Sequence, residues 1–208
     1  MSTDVQVEYA RDDFRYPRWL QRLLIAGLNF GNRFLESRQI QEGTLILLRR
    51  IFLALGIVLL LLGWYLFSAL AIGIWLFLDQ LHLQRHVDRD NPASRLRHFG
   101  EEAIIPLGLA IHMWLGGFWL TGLAAIVGIA GMYLLSTLQM KHDLAKLQLP
   151  SLYFLRWDRM GFMFLFILLG AWPGTRSYLW PRLAAWFLPV LTFYDYIWIV
   201  IQMAKKRK

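Results

Sequence analysis

Apolar runs too long to form one helix each, separated by two short and densely charged segments, constrain this chain more than any other feature. Leu, Ile, Phe, Trp and Ala dominate 51–78, 103–140 and 161–203, and the charged breaks fall at 79–102 and 139–160. As a single helix the first run would reach roughly 42 Å, against a hydrocarbon core about 30 Å thick. Each run also carries a bend signal near its middle: Gly63-Trp64, Gly116-Gly117 and Pro173-Gly174. Runs that are too long and bent at the centre predict helix pairs. The expected fold is an all-α integral membrane protein with six hydrophobic segments arranged as three helical hairpins, preceded by an interfacial amphipathic helix.

The hydrophobic fraction of 57% belongs to the membrane class. The 10 tryptophans suit a protein with two membrane–water interfaces, where indole rings prefer to sit. The net charge of +8 lies mostly outside the apolar runs. With six segments, the N-terminus, the 79–102 and 139–160 connections and the terminal Lys205-Lys206-Arg207-Lys208 share one side. The opposite turns hold only Arg176 and Arg182. Cationic connections resist translocation, so a multi-pass protein with both termini cytoplasmic is expected; five segments would put both charged connections outside. No Asn-x-Ser/Thr sequon occurs, which tilts the assignment towards a bacterial inner membrane. The start, with Asp12-Asp13-Phe14-Arg15, lacks the pattern of a cleavable leader. The arms 104–115 and 162–172 fall short of the ~20 residues of a full span.

Four regions follow: a polar segment 1–17, an amphipathic helix and linker 18–43, a polytopic domain 44–203, and a basic tail 204–208. From Arg18 to Glu36 a 100° periodicity collects Trp19, Leu20, Leu23, Leu24, Leu28, Phe30, Phe34 and Leu35 on one half. Arg18, Arg22, Asn29, Asn32 and Arg33 fall on the other. An aromatic and leucine face opposed by arginines is the pattern of a helix lying in a membrane surface, against anionic lipid. In the fourth segment Gly122, Ala125, Gly128 and Gly131 form a small-residue stripe suited to close helix packing.

Chemistry, if any, is expected in 79–102, where half the residues ionise. On a continuing helix His82, His86 and Asp90 recur one turn apart on one face, a spacing that can bind a divalent metal. Arg85, Arg95 and Arg97 could clamp a phosphate, with Asp79, Asp88 and Asp90 as metal-holding or basic residues. Two ionisable groups stand inside apolar runs, His112 and Asp195; at membrane depth such groups are functional candidates. No cysteine is present, which excludes disulfides, thiolate metal sites and cysteine nucleophiles. No phosphate loop, dinucleotide fingerprint or nucleophile elbow occurs. No basic surface interleaved with aromatics argues for nucleic acid.

The leading expectation is a subunit or assembly partner of a membrane complex, with the bilayer, other membrane subunits or further copies of the chain as partners and no cofactor. The alternatives are an enzyme acting on a phosphate-bearing lipid at the cytoplasmic face, and a small transporter using His112 and Asp195.

Overall fold

The computed structural model describes residues 18–85, 92–144, 156–172 and 178–206. Among them are seven helices and no strand: α1 (Arg18–Ser37), α2 (Glu42–Leu61), α3 (Tyr65–Arg85), α4 (Pro92–Leu115), α5 (Trp119–Leu144), α6 (Arg156–Gly170) and α7 (Leu179–Lys206). The chain divides into two units. One comprises Met1–Phe52 and Ile74–Val87, the other Leu53–Gly73 and Asp88–Lys208.

Helix ends follow from local chemistry. After α2, Gly63 takes φ +76°, its N–H bonding to the Leu60 carbonyl while the Trp64 N–H bonds to that of Leu59. After α4, Gly117 at φ +80° repeats the pattern, with Gly117 N–H to Trp114 and Phe118 N–H to Met113. This pair of bonds ties off the last carbonyls of a helix and requires a left-handed residue, which glycine adopts without strain. Both stops fall at bends expected from the sequence. Helix α1 ends the same way with a non-glycine: Gln39 sits at φ +49°, and the Ile40 N–H bonds to the Leu35 carbonyl.

In the first unit, α1 packs through Leu28 and Leu35 onto Leu45 of α2 and Leu81 of α3, with Ile40 and Leu78 alongside. Gly31 permits the approach, since a methyl in its place would stand 2.9 Å from the Phe77 ring. The apolar half of α1 is therefore divided. Leu28 and Leu35 are buried, whereas Phe30 and Phe34 remain exposed beside Arg33.

In the second unit, α4 packs on α5, α5 on α7 and α6 on α7. The small-residue stripe of α5 is the contact surface: a methyl at Gly128 would meet Leu188 at 2.7 Å, and one at Gly131 would collide with Thr192. Gly122 faces the Trp114 indole of α4 in the same way. The hydroxyl of Ser68 donates to the Gly56 carbonyl at 2.8 Å, binding α3 to α2 within this unit.

Four helical stretches are long and apolar enough to cross a membrane: Glu42–Leu61, Tyr65–His82, Trp119–Leu138 and Leu179–Ile201. Arg159–Gly170 is apolar but shorter, and the described part of α4 opens with Glu101 and Glu102. Only 28% of the most apolar stretch, in α2, is buried inside the protein. Leu55, Val58 and Leu62 point outward there, as do Leu66, Phe67 and Leu70 on α3. Apolar residues covering a helix on both its packed and outer faces are the pattern of a segment solvated by lipid.

Candidate functional site

The sequence places Asp79 two residues before the end of the apolar part of α3, and a carboxylate there needs a partner. It has one. The Arg49 Nη1 donates to Asp79 Oδ1 at 2.7 Å, with the two side chains 2% and 1% exposed. Of the adjacent arginines, Arg50 is exposed and Arg49 turns inward, because the helix begins at Glu42 and carries Arg49 to the level of Asp79. The two residues lie about equally far in sequence from Gly63, so a bend there brings them to the same depth. That symmetry was readable from the sequence.

Around it, His82 is half-buried on α3. His86, Asp88 and Asp90 lie outside the described residues. Arg85 ends α3, and Arg95 and Arg97 stand in the first turns of α4, with side chains that also lie outside the described residues. Among the described residues no group of three His, Asp or Glu side chains gathers to hold a metal ion.

Asp195 is fully buried in α7 and accepts from Arg159 Nη1 of α6 at 3.2 Å, the arginine being 8% exposed. Arg159 lies in the first turn of the described α6 and was counted in the sequence only as part of a charged connection. The alternation Tyr194-Asp195-Tyr196 in a membrane-length segment, facing a short helix that opens with Arg-Trp-Asp-Arg, was the available signal.

His112 forms the third polar contact. It is buried in the last turns of α4, and its Nε2 lies 2.7 Å from the Tyr65 hydroxyl. Which of the two groups donates depends on the imidazole tautomer. Tyr178 stacks on the imidazole with centroids 5.6 Å apart, Phe118 leans on Tyr178 at 5.1 Å, and the Arg182 guanidinium caps Phe118 at 4.6 Å. Tyr65 begins α3 after the Gly63 turn and Tyr178 immediately precedes α7, positions that pattern analysis reads as turn residues.

His112 and Asp195 do not share a site. His112 contacts Tyr178 at the start of α7, and Asp195 lies 17 residues further on, roughly 25 Å along the helix. A cavity of about 490 Å³ opens beside the Tyr65–His112 contact, lined by Gly63, Trp64, Tyr65, Leu66, Phe67, Gly170, Ala171 and Tyr178.

Comparison of the chain with known protein families, curated proteins and solved structures finds no match.

Proposed function

We propose that this protein is a small polytopic subunit or assembly partner of a membrane complex. In this reading six segments, as three hairpins, hold it in a bacterial inner membrane with both termini cytoplasmic. The observation that carries the reading is the state of the two most deeply buried carboxylates among the described residues. Asp79 and Asp195 are each bound to an arginine of a neighbouring helix, so they fasten helices and are not presented to a substrate. A catalytic carboxylate needs a face open to substrate or metal. Use of these two charges to join helices supports a scaffold.

The outer surface supports the same reading. Helix α1 offers Phe30 and Phe34 beside Arg22 and Arg33, a combination suited to a membrane interface or to a partner helix within it. The outward row Ile104, Leu107, Ile111 and Leu115 on α4 supports a lipid- or partner-facing position for that helix too. Short α6 would leave a mismatch with bilayer thickness that a neighbouring subunit can relieve.

Native mass spectrometry of the protein extracted gently from its own membrane tests this function. A stoichiometric set of companion proteins, lost in Phe30→Asp and kept in His82→Ala, is the expected result. A lone chain carrying divalent metal or a phosphate-bearing lipid would overturn the reading in favour of the 79–102 enzyme. Because the chain has no cysteine, single cysteines at Trp64, Gly117 and Lys146 give a clean labelling map of topology. The first two should react from outside the cell and the third only after lysis.

A further inference from the structure

The cavity beside Tyr65 and His112 is not used by the subunit reading, and the inference drawn from it does not depend on that reading. We propose that it binds the ring head of a neutral, quinone-type lipid. Its volume of about 490 Å³ falls in the range of roughly 300–1,000 Å³ typical of small-molecule pockets. It opens where α2 turns into α3, where α6 ends and where α7 begins. In a membrane-spanning protein these helix ends meet the interface, and the exposed Trp64 and Trp172 there are the residues an interface favours. A lipid reaches such an opening sideways, with its head at the helix ends and its tail in the bilayer.

The walls select the head. Trp64, Tyr65, Phe67 and Tyr178 line the cavity with flat faces, against which a planar ring packs better than a branched or tetrahedral group. Among the described residues, the eight that line the cavity carry no charge. The guanidinium of Arg182 is placed over the Phe118 ring. A phosphate head needs cationic donors, so this lining favours a neutral one.

Two phenols set the hydrogen bonding. The Tyr65 hydroxyl and His112 Nε2 share one hydrogen bond, and in either direction of that bond the Tyr65 oxygen keeps a lone pair that can accept another. Tyr178 lines the same cavity and brings a second phenolic hydroxyl to it. That hydroxyl can donate to a ring carbonyl, while a reduced ring's hydroxyl can donate to Tyr65. One neutral donor and one neutral acceptor beside aromatic walls match a quinone head in either form.

The test uses the full chain in phosphatidylcholine nanodiscs, titrated with decylubiquinone and followed by Trp fluorescence, taking the difference between parent and Trp64→Phe protein. Saturable quenching of the Trp64 component is expected. Ala171→Trp, which fills the cavity, should abolish it, and Tyr178→Phe should weaken it roughly three- to tenfold, the worth of one hydrogen bond. Leu66→Trp serves if Ala171→Trp fails to fold, as judged by circular dichroism. Three results would each overturn the proposal: no saturable quenching, quenching that the folded variants leave unchanged, or loss of the quenching when phosphatidylglycerol is added to the nanodiscs.

Discussion

The Arg49–Asp79 contact of the first unit and the Tyr65–His112 contact of the second do the same job by opposite means. Both join side chains of different helices at 2.7 Å, and both are buried. The first uses two full charges and the second none. Removing two charges from water costs several kcal/mol per ion, and only tight geometry recovers it. The neutral pair has no such cost to recover. An ion pair therefore fixes how far α2 stands along α3, because sliding by a fraction of a turn strands both charges, whereas a Tyr–His contact tolerates adjustment. The difference assigns a fixed fastening to one region and leaves the other, which borders the cavity, able to respond to a ligand.

The largest effect is expected from Asp79→Ala, which leaves Arg49 buried without its carboxylate and should cost about 3–5 kcal/mol. Unfolding in mixed micelles titrated with dodecyl sulfate measures it, and a loss below ~1 kcal/mol would break the comparison. Asp195→Ala comes next. Its bond to Arg159 is 3.2 Å rather than 2.7 Å, and Arg159 is the more exposed of the two arginines. A stranded guanidinium there can regain water, so the loss should be nearer ~2 kcal/mol. A loss equal to that of Asp79→Ala would show that burial alone, and not geometry, sets the value of such pairs.

Much of this was legible in the sequence, and what was not has a physical reason. The helical class, the stops at Gly63 and Gly117 and the packing stripe on α5 follow from apolar runs and from glycine, which act locally. The partners of Asp79 and Asp195 were missed because an ion pair is a tertiary event. Arg49 and Arg50 are adjacent and chemically alike, so only the neighbouring helix decides which of them turns inward. The division of the α1 apolar face, with Leu28 and Leu35 inward and Phe30 and Phe34 outward, depends on which neighbour reaches Gly31. Periodicity cannot supply that. The cavity escaped because its polar members, Tyr65 and Tyr178, stand far apart in sequence and come together only in the folded helix packing.

Tyr65→Phe tests the neutral side of the comparison. It removes the hydroxyl bonded to His112 Nε2 and keeps the ring. The expected loss is about 1 kcal/mol, the ordinary worth of one hydrogen bond, by the same dodecyl sulfate titration. A loss of the size seen for Asp79→Ala would mean that this region is as rigidly fastened as the first and not adjustable.

The smallest change in stability is expected from replacing both ions at once, Arg49→Met with Asp79→Leu. An apolar pair of similar volume needs no desolvation, so stability should stay within ~1 kcal/mol of the parent even though either single loss is severe. What the double variant should lose is position. Spin labels at Leu47 and Phe77, exposed residues of α2 and α3 in the same unit, report their separation. One narrow distance distribution is expected in the parent, and a broadened one in the double variant. A narrow distribution in both would show that the leucines about Leu45 and Leu81 already fix the register, and that the buried charges add nothing to it.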